Sequence, residues 1–100
     1  MNSSQGVYMD VPVVRGMAKR FGTISDVLKN VSRALQALLT ILKATAFIGS
    51  VGNFAMIQLI NQIKPFIDEM AKKTAEISKD LGASVNAYER GDAQGATRFY

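Results

Sequence analysis

Four carboxylates fall close together in the chain, Asp68, Glu69, Glu76 and Asp80, and closely placed carboxylates can serve general acid–base chemistry. Their spacing argues for another use. Asp68 with Lys72 and Glu69 with Lys73 stand four apart with the acid first, the arrangement of ion pairs along a solvated helix face. The chain has no Cys and no His. It therefore lacks a thiolate nucleophile, a thiolate zinc site, the commonest general base and the commonest imidazole ligand. Gly49-Ser50-Val51-Gly52-Asn53 has the glycines of a phosphate loop, but no Lys-Ser or Lys-Thr follows and no strand precedes it. It reads as a turn. No catalytic residue, cofactor or metal site is expected. Two short signals remain, Phe47-x-Gly49 near the middle and Tyr88-x-x-x-Asp92 near the end, and each alone is common by chance.

The elements that position these signals are helical. Asp10 before Val11-Pro12 is an N-cap followed by a proline in the first turn. An apolar seam then runs through Val14, Met17, Phe21, Ile24, Leu28, Val31, Leu35, Leu38 and Leu42. Its spacings alternate three and four without error, which is a heptad seam. Val13, Val27, Ala34 and Ile41 widen it to a bundle stripe. Gly49 and Gly52 turn the chain. A second seam follows through Met56, Ile60, Ile63, Ile67, Met70, Thr74, Ile77, Leu81, Ser84 and Tyr88, broadened by Leu59, Phe66, Ala71 and Val85. Gly91 and Gly95 end it. The expected organisation is a loose tail over 1–9 and a helical hairpin over 10–92, followed by a loose tail over 93–100. Within the hairpin, helix 1 spans about 11–46, the turn about 47–53 and helix 2 about 54–90. Pro65 lies inside helix 2, where it removes a backbone donor and crowds the Asn61 carbonyl. The seam stays in phase across it, so a kink is expected there.

With 100 residues, 48% of them hydrophobic, the chain is one small ordered domain, not a disordered tail. Two helices of this length cannot cover both wide stripes by pairing with each other alone. Apolar area left in water forgoes about 25 cal/mol per Å². The expected fold is all-α, a two-helix antiparallel hairpin that dimerises into a four-helix bundle.

The pI is about 9.6, but the charge is uneven. Between Asp10 and Ala46 the basic residues are Arg15, Lys19, Arg20, Lys29, Arg33 and Lys43, against Asp10 and Asp26. The second helix is nearly balanced. Either a partner of opposite sign or simple solvation accounts for this. No aromatic residues alternate with the cations, so nucleic acid is not the expected partner. Ala44 to Ile63 is uncharged for the length of a membrane span, but it contains Thr45, Ser50, Asn53, Gln58, Asn61 and Gln62 as well as the glycine turn. A buried hairpin tip is favoured over membrane contact. The N-terminal MNSSQGVYMD has no basic region followed by an apolar run, so it does not read as an ordinary secretory signal peptide.

Together, the chain length, the two long helices, the aromatic-x-Gly turn and the Tyr-x-x-x-Asp after the second seam resemble the Trp-x-Gly (WXG) family. These are small bacterial proteins exported by the type VII, or ESX, secretion system. The resemblance covers residues 10–92. The ending Ala87-Tyr88-Glu89-Arg90-Gly91-Asp92 also looks like relatives in which such a tail is the export signal. Phe47 stands where the family has Trp, keeping an aromatic beside the glycine without the indole N–H. The resemblance implies hairpins that pair antiparallel, with themselves or with a sister WXG-like protein, and a type VII secretion ATPase as a further partner. In such a dimer the Phe47–Gly49 turn of one chain comes to the Tyr88–Asp92 end of the other, a composite site that an export machine could read. The expected function is that of a substrate or co-secreted partner of this system, cytoplasmic before export and then secreted or at the cell surface, with no cleaved signal peptide. Two other readings use the same seam, a non-secreted helical adaptor and a membrane-active hairpin.

Overall fold

In the computed structural model the chain is an all-α, two-helix hairpin, with α1 over Val11–Ala46 and α2 over Val51–Glu89. Residues 8–46 and 51–91 are described. Asp10 starts α1 as a cap. Its Oδ1 accepts the Val13 N–H at 3.3 Å and its carbonyl accepts the Val14 N–H at 3.0 Å. These bonds satisfy donors that the first helical turn leaves open. Met9, just before the cap, is buried, at the position where a hydrophobic staple holds the entering chain. At the far end of α2, Gly91 adopts φ +78° and its N–H reaches the Tyr88 carbonyl at 3.0 Å. Only glycine takes that left-handed conformation without strain.

One detail of the sequence reading changes. Gly52 and Asn53, expected in the turn, lie in the first turn of α2, which starts at Val51. Asn53 Nδ2 donates to Thr45 Oγ1 at 2.6 Å and ties the start of α2 to the end of α1. Helix α2 runs through Pro65 without a break. Pro65 and Asn61 are both exposed, so water can satisfy the carbonyl that the proline leaves without a donor.

The chain forms two compact units, one of Ile24–Lys73 and one of Met1–Thr23 with Thr74–Tyr100. In the unit Ile24–Lys73 the buried residues are Ser25, Ser32, Leu39, Ile60 and Ala71. Ser25 Oγ donates to the Ala71 carbonyl at 2.7 Å, and the Ser32 hydroxyl is bonded to Asp68 Oδ1. Partners fall in number along α2 as they rise along α1, so the helices are antiparallel. Serine and alanine let the two backbones approach closely enough for a side-chain hydroxyl of one helix to reach a main-chain oxygen of the other.

The other unit repeats the device. Ser78 Oγ donates to the Ala18 carbonyl at 2.6 Å, and Arg15 pairs with Glu89. A Cβ on Gly22 would stand only 3.2 Å from Ser78 Oγ, so the missing side chain gives the hydroxyl its room. Leu81, Ser84, Val85 and Ala87 are buried here. The Ser84 hydroxyl has no hydrogen-bond partner among the described residues.

Candidate interaction surface

The heptad spacing sorts each helix into rows. In the unit Ile24–Lys73 the row of α1 nearest α2 is Ser25, Ser32 and Leu39, all buried. A step of three residues turns about 60° around the axis. From Ser25 such steps lead to Leu28, which is half-buried, and then to exposed Val31 and Ala34. From Ser32 they lead to half-buried Leu35 and then to exposed Leu38 and Ile41. In α2, half-buried Ile57 leads to buried Ile60 and then to exposed Ile63 and Phe66. Both helices are right-handed and run in opposite directions, so equal steps lead to the same side of the pair. One side of this unit is therefore apolar.

Ile24, Val27, Val31, Leu38, Ile41, Met56, Leu59, Ile63, Phe66 and Met70 lie on that side, with 39% to 72% of each exposed. At roughly 200 Å² for a large apolar residue, the scale of a buried aromatic, they present on the order of 1,000 Å². A monomer's largest apolar patch is ordinarily about 300–600 Å², and a stable interface buries about 800 Å² per partner. Lys73 is the only charged residue in these rows, and its Nζ reaches Glu69 at 4.0 Å.

A step of four residues turns about 40° the other way. From Ser25 it leads to Lys29 and Arg33, and from Lys64 to Asp68 and Lys72. This second side is polar. Asp68 here pairs with Lys64 at 3.0 Å, not with Lys72 as its spacing had suggested. It leans over the seam toward Ser32, and Lys64 lies on that side of it, whereas Lys72 lies one step further round. The Ser32 hydrogen bond first, and Lys64 second, hold the Asp68 carboxyl below its ordinary pKa. A depressed carboxylate pKa gives stability that is present above the unfolded-state value, about 3.9, and is lost as pH falls through the folded-state value. Asp68→Asn should therefore lower the melting temperature at pH 7 and narrow its difference from the parent on acidification below about pH 4. An unchanged gap across that range would remove Asp68 from the seam.

The residues expected to form the seam divide into two kinds. Val14, Phe21, Leu28, Leu35, Leu42 and Ile67 are half-buried, and Ile60 and Leu81 are buried. Met17, Ile24, Val31, Leu38, Met56, Ile63, Met70 and Ile77 are exposed. The hairpin's own contact is centred one row away, on Ala18, Ser25, Ser32 and Leu39 of α1 and on Ala71, Ser78 and Val85 of α2. Counting large apolar residues passes over that row. The recurrence of small residues at intervals of seven was the available signal. Of the export motifs, Tyr88 is half-buried in the last turn of α2. Phe47, Gly49 and Asp92 lie outside the described residues.

Among the described residues no cluster of His, Cys, Asp or Glu could hold a metal ion. No helix of the described residues is long and apolar enough to cross a membrane. No protein-family model, curated protein or solved structure matches this chain.

Proposed function

We propose that this protein works by association. The apolar side of its hairpin packs on a second helical hairpin, a copy of itself or a sister chain, to complete a four-helix bundle. The observation that carries this reading is that ten of the eleven large apolar residues exposed among the described residues of the unit Ile24–Lys73 lie on one side of it, an area of the size that stable interfaces bury. We further propose that the assembled protein is a substrate or co-secreted partner of a type VII secretion system, with its secretion ATPase as a second partner. The support for that step is the resemblance carried by Phe47, Gly49, Tyr88 and Asp92 in a chain of this architecture.

The experiment reads export against folding in a bacterium that carries such a system. A Tyr88→Ala, Asp92→Ala double variant should stay folded and associated, since Tyr88 packs only at the last turn of α2 and an end charge is worth little. Its secreted fraction should fall strongly while the cytoplasmic protein accumulates. Normal export of the folded variant would leave a non-secreted adaptor as the better reading. Light scattering at micromolar concentration tests the association itself. A stable helical monomer that binds no product of a neighbouring gene would end it.

A further inference from the structure

We propose that the polar side of the unit Ile24–Lys73 docks an acidic helix of another protein. The proposal rests on the association above, because covering the apolar side leaves the polar side as the face that the assembly presents. Lys29 and Arg33 stand four apart on α1, a like-charged pair that destabilises an isolated helix. Neither cation is held in an ion pair among the described residues. Among the described residues no carboxylate pairs with Lys29, Lys43 or Lys72 in an ion pair, and Arg33 donates to the neutral Asn30 Oδ1 at 2.7 Å. Asp68, on the same side, is already engaged by Ser32 and Lys64. Only Asp26 remains as a counter-charge along this face of α1.

The cations also lie on a helical path. Lys29, Arg33, Gln36, Thr40 and Lys43 follow spacings of four, three, four and three, a straight stripe along α1. A helix that carries glutamates at the same spacing can meet them in register, with the Gln36 amide offering a hydrogen bond between the charges. Phe54, in the same heptad row as Asp68, is 58% exposed. It is a large apolar group on an otherwise polar side, suited to anchor one end of an incoming helix. A nucleic acid fits less well, because a side with few cations and no stacking aromatics among them gives little phosphate binding.

The test uses the full chain and a labelled helical peptide of about 20 residues with glutamates at alternating four- and three-residue spacing, followed by fluorescence anisotropy. Saturable binding is expected. Lys29→Glu, Arg33→Glu and Lys72→Glu together should weaken it at least about tenfold. Phe54→Ala should weaken it less. Lys19→Glu with Lys79→Glu, in the other unit, should leave it within about twofold. If the triple reversal unfolds, the same three residues changed to Gln carry the comparison. Equal binding of a peptide of the same composition with irregularly placed glutamates would overturn the proposal. So would tighter binding to phosphatidylserine vesicles or to duplex DNA than to the peptide. Light scattering on the same samples separates the two readings. A monomeric parent protein counts against the association, whereas an associated protein that ignores the peptide counts against the docking alone.

Discussion

Val85→Asp is expected to unfold most of the protein at room temperature and neutral pH. Val85 is 0% exposed and lies in the row where α2 approaches α1, seven residues beyond Ser78. A carboxylate placed there is cut off from water and has no cation supplied to meet it. An uncompensated buried charge costs about 3–5 kcal/mol. A domain of this size has a total stability near the low end of about 5–15 kcal/mol. Circular dichroism should show a large loss of helix that is partly regained on acidification, when the new side chain becomes neutral. Asn86→Asp, the next residue and exposed, adds the same charge and should shift stability by no more than about 0.5 kcal/mol. Equal melting temperatures for the two variants would mean that Val85 does not face the other helix.

The second large effect is expected on association, with folding spared. Val31 and Ile63 lie in the exposed apolar rows of the unit Ile24–Lys73, each 39% exposed. In the separate hairpin a lysine at either position reaches water, and lysine forms helix at least as well as valine or isoleucine. Val31→Lys with Ile63→Lys should therefore keep the helical signal. In a bundle that buries this side, each lysine must be desolvated or must push the hairpins apart. A loss of several kcal/mol is at least about a thousandfold in the dissociation constant. Light scattering should find the variant monomeric at concentrations where the parent protein is associated. Arg33→Asp, on the other side, should leave the associated state intact. An unchanged size for the double variant would mean that another surface holds the copies together.

Much of the fold was legible in the residues. Asp10 with Val11-Pro12 marks the start of α1, and the uninterrupted three–four spacing carries the helix to Ala46. Gly91 marks the end of α2 for a reason the backbone shows, its positive φ. The part that was not legible has one physical cause. Apolar periodicity reports which residues avoid water, and in this chain two surfaces need that, the contact inside the hairpin and the side facing away from it. The large residues crowd toward the second. Beside Leu39, Ile60, Leu81 and Val85, the first depends on Ser25, Ser32, Ala71 and Ser78, whose value lies in being small and, for the serines, in bonding to the neighbouring helix. The partner of Asp68 was misread for the same reason. Spacing along α2 favours Lys72, whereas Ser32 of α1 draws the carboxylate across the seam toward Lys64.

The serine contacts bear on how the hairpin responds to temperature. Hydroxyl-to-carbonyl bonds between closely approaching backbones act beside a short set of buried apolar side chains, Leu39, Ile60, Leu81 and Val85, while most large apolar residues of the unit Ile24–Lys73 stay exposed. Heat capacity rises on unfolding chiefly through exposure of apolar surface, and exposure of polar surface lowers it. A hairpin closed in this way has a small heat-capacity step for its length, and its free energy bends only gently as it is warmed or cooled. Covering the apolar side adds the missing curvature, so the assembled protein should have a sharply domed stability curve where the single hairpin has a shallow one.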